Sequence, residues 1–366
     1  MNLMLRPRCG FTSKARDFIP ASWSPPLKRI LILLAALCAL RDVPAQTNNQ
    51  AGFVAVTEED DSFSNPFGTH TDRHYTQGLK FSLFGADDFM TNTSASLNRL
   101  PAVGFEPEAR NLGVVWGQNI YTPQNLLTPA LVPGDRPYAG WLYAGAVFQR
   151  RGDLATNFSV MENLELDLGV VGPWSLAAEA QKTVHRLFFP SDVPNGWDNQ
   201  LRNEPGVIIK YGRSWRYSPT PGLERYMDVI PRIGADLGNV WTFGTAGVMG
   251  RLGFGLPRDF GPEIIDSPTS ESGSLNRESP RFFFYAFVAA DGRAVGRDIT
   301  LDGNTFRGGP SVDKFNFVGD GSWGFAFQAW HHFEFSYTHI TRTKEFIGQA
   351  GDDVFGSLNF KVNFSF

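Results

Sequence analysis

The side chains that could do chemistry in this sequence fall in four short stretches. Glu59, Asp60 and Asp61 stand together in "TEEDDSF". Asp72, Arg73, Tyr75 and Thr76 follow in "TDRHYTQG", and Asp135, Arg136 and Tyr138 in "GDRPYAGWLY". A later stretch, 175–188, has helical spacing, with Leu176, Ala180, Thr183, Val184 and Leu187 on one side. His185 lies four residues after Gln181 there, so the two can face one site. Carboxylates, hydroxyls, guanidinium groups and an imidazole are the groups that hold ions and move protons. Each also has a plainer reading: an acidic strand end is usually a solvated rim, Asp135–Arg136 suits a rim ion pair, and Pro137 and Gly140 suit a turn. These residue types leave the reaction open, so the elements that carry them matter.

Those elements are strands. In "NFSVMENLELDLGVV", Phe158, Val160, Leu164, Leu166, Leu168 and Val170 share one parity, while Ser159, Asn163, Glu165 and Asp167 share the other. The closing "DVFGSLNFKVNFSF" alternates in the same way up to Phe366. Strict alternation describes strands whose two faces meet different solvents. About twelve such segments are expected, near 53–60, 76–84, 111–120, 138–149, 157–170, 206–217, 226–240, 246–255, 281–301, 316–329, 332–344 and 354–366. Strands of about ten residues suit a tilted crossing of a bilayer. Trp116, Trp141, Tyr143, Trp215, Tyr217 and Trp241 near strand ends suit interfacial girdles. The expectation is an all-β transmembrane antiparallel barrel, multi-pass in the outer membrane of a Gram-negative cell, with a short helix in an extracellular loop.

Residues 1–45 read as an N-terminal extension and a secretory signal. Lys28 and Arg29 precede the apolar run Ile30–Leu40, and Val43-Pro44-Ala45 offers a cleavage site. The barrel is then expected over 46–366. Without that leader neither cysteine, Cys9 or Cys38, remains, which excludes thiol chemistry. Its loss also leaves 26 Lys/Arg against 35 Asp/Glu, a net charge of −9 that argues against nucleic acid as a partner. Connections 61–75, 121–137 and 171–204 are expected outside the cell, with short turns in "RRGDLATN", "SPTPGLE" and "AWHH" on the periplasmic side. Segment 256–280, rich in Pro, Ser and Gly, breaks that asymmetry: either its turn is long or it hides another strand pair.

The stretches "EEDDSF", "TDRHYTQG", "GQNIYTP", "GDRPYAGWLYAG" and "GVVGPWSLAAEAQKTVH…NGWDNQLRNEPG" occur in the order and rough spacing of the lipid A 3'-O-deacylase family of outer-membrane barrels, which this sequence resembles. The specific motifs run from about 53 to 211, and the likeness continues to Phe366 as strand pattern. The resemblance implies a twelve-stranded barrel that removes the 3'-linked acyloxyacyl chain of lipid A, the anchor of lipopolysaccharide, in a calcium-dependent ester hydrolysis. Position by position, it places the family's Asn-Asp pair on Asp60 and Asp61, its strand threonine on Thr76 and its loop histidine on His185. Asp60 departs from the family's asparagine and adds a charge that should tighten a cation. A lysine that precedes Gly-Asp-Arg in some members is Pro133 here, so Arg73 and Arg136 become the candidates for the lipid phosphate.

On this basis His185 is expected as the general base, because imidazole titrates near neutrality. Asp60 and Asp61 are expected to hold Ca2+, a hard cation suited to oxygen ligands, with Asp61 also essential to catalysis. Thr76 and Gln181 would orient water or substrate. Two alternatives stay open. An outer-membrane phospholipase would want a serine nucleophile, for which Ser62, Ser175 and Ser191 stand in no recognisable pattern. A porin or non-catalytic barrel would need a lumen that twelve strands scarcely provide.

Overall fold

The computed structural model describes residues 51–64, 73–86, 100–220, 222–265, 267, 280–330 and 332–365. The expected signal segment, Asp72 and Phe366 lie outside the described residues. Twelve strands follow in order: β1 (Ala51–Asp60), β2 (His74–Ala86), β3 (Ala109–Thr122), β4 (Ala139–Ala155), β5 (Phe158–Val171), β6 (Glu204–Tyr217), β7 (Met227–Gly238), β8 (Trp241–Phe254), β9 (Phe283–Asp298), β10 (Phe317–Ala329), β11 (Phe333–Arg342) and β12 (Asp353–Ser365). Each pairs antiparallel with its sequence neighbours, and β1 also pairs with β12, from Ala51↔Ser365 to Asp60↔Gly356. The sheet is therefore a closed barrel without an edge. Among the described residues one helix of several turns, α1 (Ala177–Phe188), lies between β5 and β6.

The alternating faces sort as their chemistry requires. Leu166 and Leu168 on β5, Val207 and Ile209 on β6, and Val288 on β9 are exposed on the outer wall. The opposite parity fills the lumen with paired charges. Lys210 Nζ lies 2.9 Å from both Glu165 and Asp167. Lys80, on the far side, reaches Glu165 at 3.4 Å. Arg293 and Arg342 share Asp320 at 2.6 and 2.9 Å, and Arg216 and Arg251 share Asp228 at 2.6 and 2.7 Å. Pairing offsets desolvation for each ion, and removing one partner of such a pair costs about 3–5 kcal/mol. Among the described residues, these ion pairs occupy the lumen.

Three of the expected girdle aromatics also belong to the lumen. Trp141, Tyr143 and Trp241 are buried in the main apolar cluster, with Trp141 and Tyr143 stacked at 5.7 Å. Trp116 and Tyr217 are exposed on the outer wall as a girdle requires.

The upper rim is the one where β1 ends and β2 begins. It carries connections 123–138, 172–203, 299–316 and 343–352. At the lower rim the turns at 156–157 and 330–332 are short. The lower rim also holds 255–282, and no described residue of that connection pairs as a strand. Its first part instead turns back into the barrel: Leu256, Phe260, Ile264 and Ile265 are all buried.

Candidate active site

The end of β1 carries carboxylates on both faces. Glu59 points inward, where it accepts hydrogen bonds from the Tyr75 hydroxyl and the Ile265 N–H, both at 2.8 Å. Glu58 and Asp60 have the outward parity, yet they are only 4% exposed. The solvated-rim reading of this cluster is therefore overturned. Asp60 accepts the Ser62 N–H at 2.8 Å and caps the short 3-10 turn Asp61–Phe63. Asp61 accepts the Arg73 N–H at 3.0 Å, joining the start of β2 to the end of β1.

At the start of β2 the ladder slips between Tyr75 and Gln77. This bulge lets Tyr75 turn into the lumen cluster while Thr76 meets the Thr122 hydroxyl at 2.7 Å. Thr122 shares its parity on β3 with Gln118 and Ile120, which is the outer face. On that face the Gln77 amide donates to Glu58 at 3.4 Å, and Gln77 stands opposite Asp60 in the ladder. Glu58, Asp60, Thr76, Gln77 and Thr122 thus form a polar patch on the outside of the wall, where lipid-facing side chains would be expected.

α1 lies against the neighbouring part of that wall. Leu176 enters the helix in the left-handed region at φ 58°. Gln118 donates to the Ser175 carbonyl at 2.6 Å. Ile120, Leu126, Tyr138, Ala177, Ala178 and Trp197 pack into one apolar cluster between helix and wall. Gly140 is needed for this approach, because a Cβ there would stand 2.1 Å from Ser175 Oγ and 2.3 Å from Ala177 Cβ. Gln181 and His185 lie on the buried face of α1. Trp197, its ring tilted against Tyr138 at 4.8 Å, donates its Nε1–H to Gln181 at 2.8 Å. The side of the helix that carries Leu176, Thr183 and Leu187 is the outer one, with Leu176 55% and Leu187 58% exposed. A helix beside a bilayer can keep leucines exposed on its outer side, so its small and polar residues meet the wall.

A histidine that sequence reasoning passed over ties the rim together. His74, in the left-handed region at φ 62°, is buried. Its Nδ1 meets Asp353 at 2.7 Å and its Nε2 lies 3.4 Å from Asp135. Burial pushes the Asp135 carboxyl up. Hydrogen bonds with His74 and from the N–H groups of Gln124 and Arg136 outweigh that push and hold it below the usual carboxylate range. Arg136 is buried within the same cap, 2.7 Å from Glu345 and 3.0 Å from the Thr300 hydroxyl. Burial holds Glu345 above the usual carboxylate range despite Arg136 and Arg342. Arg136, a candidate for the lipid phosphate, is thus paired inside the cap. Arg73 keeps 23% side-chain exposure, with Nε 3.7 Å from Asp353.

The outer patch brings together Glu58, Asp60, Thr76, Gln77 and Thr122, and α1 brings Gln181 and His185 to the adjoining wall. Among the described residues no three His, Cys, Asp or Glu side chains form a ready cation cluster. The donor set at the end of β1 nevertheless suits calcium in type, since Glu58, Asp60 and Asp61 present only oxygen. Ser175 and Ser191 hydroxyls donate to Gly172 and Asp192, and Ser62 is buried at the rim. None of the three is placed as a nucleophile beside a histidine.

The sequence matches the family described as "Outer membrane protein LpxR" over residues 30–364. The structure is similar to LpxR from Salmonella typhimurium, with 22% identity, TM-score 0.64, and coverage of 85% of this chain and 99% of that one. It also aligns with the translocator domain of autotransporter NalP from Neisseria meningitidis, at 9% identity and TM-score 0.44 over 93% and 96% of the chains. A KdgM porin aligns at 5% identity and TM-score 0.36 over 85% and 99%. The search of curated proteins found no match.

Proposed function

Because this chain belongs to the LpxR family of outer membrane proteins, and is thereby an ester hydrolase for which membership implies lipid A 3'-O-deacylation, we propose that it removes the 3'-linked acyloxyacyl chain with His185 as general base and a calcium ion at the end of β1. The observation that carries this reading is the pairing of α1 with the outer wall. Gln181 and His185 lie on the buried face of α1, which packs on the wall at Ile120, two residues before Thr122, the partner of Thr76. An ester in the outer leaflet can enter between helix and wall while its acyl chain stays in hydrocarbon.

In this reading His185 takes a proton from water as the oxygen adds to the ester carbonyl. Collapse of the adduct breaks the bond to the sugar oxygen, which takes the proton back, leaving a free 3'-hydroxyl and a fatty acid. Gln181, fixed by Trp197, and Thr76, fixed by Thr122, orient water and substrate. Asp60, Asp61 and, on the same strand end, Glu58 would hold the cation. A bound calcium ion supplies polarisation of the ester carbonyl. Arg73, partly exposed, and Arg136 are the candidate cations for a lipid phosphate.

Mass spectrometry of lipid A from cells expressing the chain tests the reading. Loss of the 3' acyloxyacyl group supports it. Intact lipid A with new lysophospholipid would point to a phospholipase, and no change in either lipid to a barrel without this activity.

A further inference from the structure

The part of the β8–β9 connection that enters the lumen climbs from the lower rim to the underside of the candidate site. Gly255, at φ 65°, turns the chain back at the end of β8. Asp259 then pairs with Arg251, and Arg251 Nη2 also reaches the Asp259 carbonyl at 3.2 Å. Phe260 packs among Met161, Met249 and Tyr285. Gly261, at φ 100°, lies so close that a Cβ would stand 2.8 Å from the Met249 sulfur. Glu263 lies between β2, β1 and β12. It meets Lys80 at 3.1 Å, accepts from the Thr57 hydroxyl at 3.0 Å, and lies 3.5 Å from Asn359 Nδ2 and from Ser82 Oγ. Two residues later the Ile265 N–H reaches Glu59.

Glu59 is the inward residue between the outward Glu58 and Asp60. Because successive strand residues point to opposite faces, whatever fixes the inward side chain also fixes the direction of its neighbours. Tyr75 and the Ile265 N–H hold one carboxylate oxygen of Glu59 each. Gly78 makes room for both: a Cβ there would stand 2.1 Å from the Tyr75 hydroxyl oxygen and 3.0 Å from Ile265 Cδ1. From this geometry we infer that the Leu256–Ile265 segment is a lumenal strut that sets the end of β1 for catalysis, with Glu263 and Glu59 as positioning residues that never touch substrate. The inference rests on the outer-wall site proposed above. It adds that the site is ordered from inside the barrel by a connection rooted at the opposite rim.

The test uses the full-length barrel folded in detergent, with Glu263→Ala and Glu263→Gln. Heat-modifiable gel mobility confirms that both fold. Hydrogen–deuterium exchange in peptides spanning 57–64 reports the order of the β1 end independently of activity, and kcat and KM on lipid A report the reaction. In Glu263→Ala, exchange in 57–64 should rise and kcat should fall about tenfold, with KM changed less than twofold. Glu263→Gln keeps an acceptor for Thr57 and should return both quantities to within about threefold of wild type. Unchanged exchange in Glu263→Ala overturns the strut, and raised exchange with unchanged kcat overturns its positioning role. A wild-type barrel inactive on lipid A would sink the deacylase reading separately, and the exchange data would still decide whether the strut orders the rim.

Discussion

Replacing His185 with alanine separates catalysis from assembly. α1 should survive, because alanine is a better helix former than histidine by about 0.7 kcal/mol or less. The barrel should survive as well, because β3 and β4 beneath the helix keep their own ladder from Ala109↔Arg151 to Tyr121↔Ala139. The imidazole, only 4% exposed, has Phe189 5.5 Å away, ring to ring. Its removal opens a small space under the loop and leaves the lumen untouched. A general base contributes about 10²–10⁴ in rate, which at about 1.4 kcal/mol per decade is a barrier rise of about 3–5 kcal/mol. Purified His185→Ala should therefore lose at least a hundredfold in kcat on lipid A while its heat-modifiable mobility matches wild type. A variant within threefold of wild type would remove His185 as the base and leave the proposed mechanism without a proton acceptor.

Asp61→Ala should abolish deacylation, whereas Asp60→Asn should retain it with a higher free-calcium midpoint, since one negative charge is lost and an amide oxygen remains; an unchanged midpoint would take Asp60 out of the ion's ligands. Thr122→Val keeps the side-chain shape and removes the hydroxyl partner of Thr76, a loss of about 1 kcal/mol, so kcat should drop roughly fivefold, and a change under twofold would mean that Thr76 needs no such partner. Asp135 titrates below the usual carboxylate range, so its support for the upper rim is present above that range and is lost as pH falls through its lowered value; limited proteolysis of 123–138 should speed up on acidification in wild type, and an identical acid response in Asp135→Asn would contradict this. Asn195→Cys should react with an impermeant thiol reagent on intact cells while Thr156→Cys reacts only after the outer membrane is opened, and the reverse pattern would put α1 on the wrong side of the membrane.

Strand number and parity were legible because each strand divides two solvents. Leu166 and Leu168 against Glu165 and Asp167 on β5 state that division in four residues. What was not legible depends on partners far apart in sequence. His74 looks like one more residue of "DRHY" until Asp135 and Asp353 arrive from two other connections. Trp141 and Trp241 have the composition of a girdle, and only the closed sheet shows that their parity turns them into the lumen, with ring centroids 6.4 Å apart. Glu58 to Asp61 read as a solvated rim because nothing local reveals Tyr75, Gln77 or the Ile265 N–H reaching them. Which side of α1 meets the wall was not legible either, because an apolar stripe marks the buried side of a helix in water and the outer side where lipid replaces water. Among its described residues, segment 256–280 reads as a long connection and not a strand pair, because Glu263 and Ile265 bond to strand residues without extending the sheet.

The filled lumen and the proposed outer-wall site would be two consequences of one constraint. Inside, Lys80, Glu165, Lys210, Asp167 and Glu263 occupy the space that a substrate entering the barrel would need. Drawing an acyl chain out of the bilayer into that space would forfeit about 0.8 kcal/mol per methylene, or roughly 8 kcal/mol for ten of them, besides disrupting ion pairs. Against the outer wall that cost vanishes, because the chain never leaves hydrocarbon and only the ester has to meet polar groups. Trp174, Leu176 and Leu187, each more than half exposed around α1, suit a helix whose outer side rests in the same leaflet as the substrate. A charged substitution there, such as Leu187→Glu, should therefore weaken lipid A binding and raise KM while leaving Gln181 and His185 in place on the opposite face.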